Sequence, residues 1–153
     1  NKRLAEYHFA EAIKLREILA QRDPSSMRTQ LAGSYSNLSH HYELWEQLDK
    51  AETYSLKAIE IYASVSQKNA GAFDTDLARN YHELANLYTK AGDQERAERF
   101  YLESILLYVK LFEKSPRAYV DRIINTIADI TMLLYPIGSS QWMREFTDPA
   151  NCK

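Results

Sequence analysis

The stretch DLARNYHELANLYTKAGDQERAERFYLESILLY, Asp76 to Tyr108, decides the fold. Apolar and small residues recur at 77, 81, 84 and 88, the spacing of one helix face. The rhythm stops at Ala91-Gly92-Asp93 and resumes at Ala97. Gly closes a helix easily because it tolerates a left-handed backbone, and Asp caps the next one by accepting from free backbone N–H groups. The same signals occur earlier, in QLAGSYSNLSHHYELWEQLDKAETYSLKAIEIY, Gln30 to Tyr62.

Shifting the chain by 46 residues aligns the two copies. Leu31 meets Leu77, Ala32 meets Ala78, Tyr35 meets Tyr81, Leu38 meets Leu84 and Tyr42 meets Tyr88. Beyond the break, Ala51-Glu52 meets Ala97-Glu98, Leu56 meets Leu102, Ile59 meets Ile105 and Tyr62 meets Tyr108. The matched positions predict one buried stripe per helix. A backward shift turns AETYSLKAIEI into AEYHFAEAIKL, Ala5 to Leu15, and a forward shift places Ile123, Ile127, Ile130 and Leu134 in the first-helix stripe.

The expected organisation is a single helical repeat domain over residues 1–146, with a tail over 147–153. A second helix spans 4–22. Complete pairs span 27–68 and 74–114, a further first helix spans 116–135, and a partial capping helix covers 139–146. Asp49 with Glu52 has capping-box spacing, and Ser115-Pro116 is a helix start. The six recurring tyrosines, 35, 42, 62, 81, 88 and 108, read as core residues whose hydroxyls reach a rim.

The motif Tyr81-x2-Leu84-Ala85-x2-Tyr88-x3-Gly92-x4-Ala97, followed by Phe100 or Tyr101 and Ser104, resembles the tetratricopeptide repeat. The first copy carries Tyr35, Leu38, Ser39, Tyr42, Ala51, Tyr54 and Ala58, but has Glu46 where the pattern has Gly. The last copy has Ile127, Ile130, Thr131 and Leu134, then Pro136 and Gly138. A 46-residue period, longer than the usual 34, is similar to the extended repeats of kinesin light chains and bacterial arrays. The resemblance implies an all-α fold: a right-handed α-solenoid of antiparallel helix pairs, about seven helices in all.

It also implies a concave groove lined by the first helix of each pair. The positions between the buried ones are Gly33, Ser36, His40 and Glu43, then Arg79, His82, Asn86, Thr89 and Lys90, then Asn125, Ala128 and Met132. Ser36, His40, Arg79, His82, Asn86 and Asn125 are the expected peptide- or protein-binding residues. Asn86 and Arg79 are expected to be exposed. An amide both donates and accepts, so Asn86 can read a peptide bond. The dicarboxylate clamp of chaperone-binding relatives does not carry over, because its positions hold Ser36, His40, Ala128 and Met132.

Other functions find little support. The formal net charge is −2, and Arg96, Arg99, Arg117 and Arg122 are interspersed with acids, so no nucleic acid is expected as partner. No apolar run has the length of a membrane-spanning helix, so no membrane is expected either. Adjacent His40 and His41 point about 100° apart and cannot chelate together. His40, Glu43 and His82 could converge on a metal only in a tight groove, so no metal and no cofactor are expected. No nucleophile or phosphate-loop motif is present, so no enzyme is expected. The single cysteine, Cys152, rules out an internal disulfide and fits a reducing, cytoplasmic location. Asn1 in place of Met suggests a processed chain or an excised piece. The expected function is a non-catalytic protein-interaction scaffold. The alternative is an assembly module acting through its end helices, with a possible homodimer and with Trp142 or Phe146 docking on a partner. A metal-dependent enzyme ranks third.

Overall fold

The computed structural model describes residues 2–22, 24–68 and 71–135. Six α-helices lie within them: α1 (Lys2–Arg22), α2 (Pro24–Leu44), α3 (Leu48–Lys68), α4 (Asp74–Ala91), α5 (Gln94–Phe112) and α6 (Pro116–Leu134). Each packs against the next in chain order, in antiparallel pairs, as a tetratricopeptide-like solenoid requires. The expected capping helix 139–146, with Trp142 and Phe146, and the tail 147–153 lie outside the described residues. Among the described residues no helix is long and apolar enough to cross a membrane.

The 46-residue repeat persists in the geometry of the ring contacts. Tyr35 meets Tyr54 with centroids 5.8 Å apart, and Tyr81 meets Phe100 at 5.8 Å. Tyr42 stacks on Tyr54 at 5.5 Å, and Tyr88 on Phe100 at 5.6 Å. Tyr62 and Phe73 are 6.1 Å apart; Tyr108 and Tyr119 are 6.2 Å apart. Between the rings sit fully buried small residues: Ala32, Ala51 and Ala58 in one copy, Ala78, Ala85, Ala97 and Ser104 in the next. Ser39 donates to the Ala51 carbonyl at 2.7 Å, and Ser104 to the Ala78 carbonyl at 2.8 Å. A hydroxyl reaches the backbone of its partner helix only when the two helices are close.

The tyrosine hydroxyls tie successive pairs together. Tyr42 donates to Glu6 at 2.8 Å, and its counterpart Tyr88 donates to Glu52 at 2.7 Å. Lys50 bonds Glu6 while lying 4.9 Å from the Tyr42 ring; Arg96 bonds Glu52 while lying 4.2 Å from the Tyr88 ring. Every member of the first triad sits 46 residues before its counterpart. The exposed ion pairs are screened and contribute little. The hydroxyls matter more, because an unpaired buried hydroxyl costs about 1–3 kcal/mol. A further cross-link is the carboxylate of Asp74, which is 2% exposed. Burial raises its pKa, but hydrogen bonds from Ser66 and Lys110 and the nearby lysine charge outweigh burial and hold it below the usual carboxylate range.

Local signals hold in part. Gly92 ends α4 at φ 77°, and the Asp93 side chain accepts from the Arg96 amide. Ser115 and Pro116 start α6, but the Ser115 side chain makes no capping bond. The Asp49–Glu52 capping box is corrected. Helix α3 begins at Leu48, so Asp49 lies inside the first turn and Gln47 holds the place of Asp93. Glu52 is taken by Tyr88 and Arg96 instead. The buried stripe is also narrower than the aligned apolar positions. Leu56, Leu102, Ile127 and Leu134 are exposed, and their period marks repetition rather than burial.

Glu46 takes the backbone of the glycine it replaces, at φ 59°. Such a conformation costs a side-chain-bearing residue about 1–2 kcal/mol. Glu46→Gly is therefore expected to stabilise the fold by about 0.5–1 kcal/mol after the entropy that Gly loses. Thermal unfolding checks this, and an unchanged or lower midpoint contradicts it. A second expectation concerns alkaline pH. Burial raises the pKa of Tyr35, Tyr42, Tyr62, Tyr81, Tyr88, Tyr101 and Tyr108, and that of Tyr88 reaches about 12 with the added effect of Glu52. Stability from these groups is complete below the unfolded tyrosine value of about 10. It is lost as pH rises through the folded values. Tyrosinate absorbance and circular dichroism should change together in that window. Ionisation of these tyrosines with the helices intact would contradict it.

Candidate functional site

Helices α2, α4 and α6, the first members of their pairs, share one face. Side chains connect them across it. Ser36 on α2 donates to Asn80 on α4 at 2.6 Å, and Lys90 on α4 pairs with Glu43 on α2. His82 on α4 lies 2.8 Å from Asp129 on α6. Asn80 is fully buried and its amide also donates to the Asp76 carbonyl, which orients its oxygen toward Ser36.

Two depressions open on this face. The first, of about 290 Å³, lies between α2 and α4 and is lined by Gly33, Ser36, Asn37, His40, Arg79 and Glu83. The second, of about 410 Å³, lies between α4 and α6. Its lining includes His82, Arg122, Asn125 and Thr126, with Tyr108 from α5. The two are repeat equivalents, since 36 becomes 82 and 79 becomes 125 on a 46-residue shift.

The expected binding residues thus divide. Ser36, His40 and Arg79 share the first depression; His82 and Asn125 share the second. Asn86 lines neither. Its oxygen accepts from the Tyr101 hydroxyl at 2.6 Å, and its amide faces His82 Nδ1 at 3.4 Å. A polar chain therefore runs from buried Tyr101 through Asn86 and His82 to Asp129. The expectation of an exposed Asn86 is corrected: it is half-buried, and one amide N–H is what it has left for a ligand. Arg79 is exposed as expected, though Asp76 accepts from it at 2.7 Å.

Electrostatics differ along the face. Glu83 keeps 46% of its side chain open to solvent, yet the walls of the first depression desolvate its carboxyl and raise its pKa. Arg79, His40 and His82 act in the opposite sense. His40 is 3.6 Å from Glu43, whereas His82 pairs with Asp129, so His40, Glu43 and His82 do not converge. Among the described residues no group of three or more His, Cys, Asp or Glu could hold a metal ion. Sequence reasoning missed Glu83, Tyr108, Arg122 and Asp129. Shifting Asn37 and Glu83 by 46 residues leads to Glu83 and Asp129, so the repeat carried a signal for two of them.

Stacked helix pairs with a polar face formed by alternate helices define a helical-repeat solenoid. Residues 77–117, spanning most of α4, all of α5 and the start of α6, match the model of the tetratricopeptide repeat family. Among solved structures the fold is similar to BtubC (BKLC) from P. vanneervenii, with a TM-score of 0.59 and 24% identity. The match covers 94% of this chain and 56% of that one, so the chain spans little more than half the length of the protein it resembles. No curated protein matches.

Asn86→Ala would leave the Tyr101 hydroxyl only its longer contact with Thr89 Oγ1 at 3.4 Å and is expected to cost about 1–3 kcal/mol. Adding Tyr101→Phe should recover part of that loss, so the pair is less than additive. Arg79→Ala, at an exposed site, should stay within about 0.5 kcal/mol. Denaturant titration of the native protein, Asn86→Ala, Tyr101→Phe, the double variant and Arg79→Ala checks the set. A silent Asn86→Ala contradicts it.

Proposed function

We propose that the chain is a non-catalytic scaffold that binds a protein or peptide segment along the α2–α4–α6 face. The observation that carries this reading is the pair of repeat-equivalent polar depressions on one continuous face. An extended segment offers donors and acceptors at regular intervals, and a face with repeated polar sites can meet them in register. Ser36, His40, Arg79, His82 and Asn125 are the contact residues, with Asn86 contributing one N–H and orienting His82. The match to a repeat family that generally joins proteins supports the same reading.

A second reading, assembly through the end helices, is favoured by α1. It exposes Leu4, Tyr7 and Ile18 where α3, one repeat on, carries Lys50, Thr53 and Ser64. On α3, Lys50 and Thr53 are exposed and Ser64 is half-buried. Leu15 and Leu19 are exposed as well, whereas their counterparts Ile61 and Val65 are covered, so α1 presents an apolar face that has no cover among the described residues.

Affinity capture from the source proteome separates the two. A partner held by the native chain should be lost, with at least a tenfold drop in affinity, from Arg79→Ala/Asn125→Ala. Both sites are exposed, so both proteins should fold alike. Capture that survives this change but fails in Tyr7→Glu/Ile18→Glu, with mass falling to that of a monomer, would move the function to α1.

A further inference from the structure

The two ends of the solenoid are apolar at positions where its interior is charged or polar. Each interior latch joins a tyrosine of a first helix, a glutamate of the preceding second helix and a cation of the following one. These are Tyr42, Glu6 and Lys50, then Tyr88, Glu52 and Arg96. One repeat on, the glutamate is Glu98 on α5 and the tyrosine position holds Leu134 on α6. One repeat back from Lys50, the cation position holds Leu4 on α1. Both leucines are exposed. The two partners of a latch glutamate are thus leucine at opposite ends of the chain.

A second set of positions changes in the same way. Ile61 on α3 closes a cavity whose lining includes Glu17, Ala20, Arg28 and Leu31 of α1 and α2. Two repeats on, these four become Val109, Phe112, Val120 and Ile123 of α5 and α6. Val109, Phe112 and Val120 are exposed, and so is Leu15, the counterpart of Ile61 on α1. Among the described residues α1 packs chiefly on α2 and α6 on α5, so socket and plug are both open.

We propose that copies of this chain associate head to tail, with α1 of one copy packed on α5 and α6 of another as the second helix of the α6 pair. This rests on the assembly reading, to which it supplies the partner surface, and not on the α2–α4–α6 face. The contact continues the junction that α3 makes with α1 and α2. In that register Leu4 meets Leu134, and Leu15 enters the socket of Val109, Phe112 and Val120. Ala5 and Ala12 face Thr131 and Ile124, as Ala51 and Ala58 face Ser39 and Ala32. Ile124 is larger than Ala32, so the helices stand farther apart at that end. Charge agrees with the register. Arg16 replaces Tyr62, whose hydroxyl lies beside Gly33, and so falls over Asn125, one turn from Asp121. The chain's own continuation carries a different code, with Met143 one repeat after Ala97 and the helix breaker Pro149 one repeat after Glu103. The two surfaces differ, so the contact is heterologous and open-ended.

Sedimentation equilibrium of the whole chain tests this with two variants, each spoiling one end at exposed sites. Leu4→Glu/Leu15→Glu keeps the socket, and Ile124→Glu/Ile127→Glu keeps α1. Circular dichroism should be unchanged in both. The mass of the native chain should rise with concentration and pass that of a dimer. Each variant alone should associate at least tenfold more weakly. Their equimolar mixture should stop at a one-to-one dimer, because each brings one sound end. A native chain that stays monomeric up to about 1 mM, as it would with another segment or protein on these ends, overturns the proposal. Self-association of Ile124→Glu/Ile127→Glu at native strength overturns it too, since α1 would then be meeting α1; the assembly reading would survive that result.

Discussion

The fold depends on how closely neighbouring helices approach. Each complete pair has two positions where no side chain longer than serine is found: 39 with 51 and 32 with 58 in the first, 85 with 97 and 78 with 104 in the second. In each pair one of the two contacts is a serine hydroxyl bonded to the facing backbone carbonyl. Larger groups there would overpack the contact and push the helices apart. The rings of Tyr35, Tyr42 and Tyr54, or of Tyr81, Tyr88 and Phe100, fill the remaining space, and their angles repeat because the backbone spacing repeats. The Tyr42–Glu6 and Tyr88–Glu52 bonds then add one link between successive pairs per repeat.

Why α6 differs follows from the same constraint. It carries Ile124 where α4 has Ala78 and Thr131 where α4 has Ala85. Ile124 is 57% exposed, whereas Ala78 is fully buried. The carboxylate of the next triad would be Glu98, but Leu134 stands at the tyrosine position and has no hydroxyl to donate. The repeat is therefore strict through α5 and relaxed at α6. Substitutions that lose the packing code also let the polar side of α6 diverge.

Most of the architecture was legible in the sequence because periodicity, glycine and proline act over a few residues. The position of Gly92, the cap at Asp93 and the start at Pro116 are all local. What was misread required distant partners. Asn86 looks like a free surface amide until Tyr101, 15 residues on, donates to it from α5. Glu52 looks like a cap until Tyr88 and Arg96, on α4 and α5, claim its carboxylate. Asp129 attracted no attention because its partner, His82, is 47 residues away. The groove positions themselves follow from helical spacing, so five of the six fell on the two depressions. Their engagement with other side chains depends on tertiary neighbours that no local pattern encodes.

The absence of the tyrosine at 134 also bears on how order is lost. In a solenoid each pair touches only its neighbours, so cohesion is distributed as a chain of nearest-neighbour couplings. Helix α4 sits between two such couplings and contains Asn80, Leu84 and Ala85, all fully buried. Helix α6 is held by α5 through Tyr108, Tyr119 and Leu111, with no counterpart of the Tyr–Glu latch. Among the described residues, α6 is therefore tied to its neighbours by fewer such links than α4. The cleft between α4 and α6 thus has one wall on a helix cross-linked on both sides and one wall on a helix that lacks the latch.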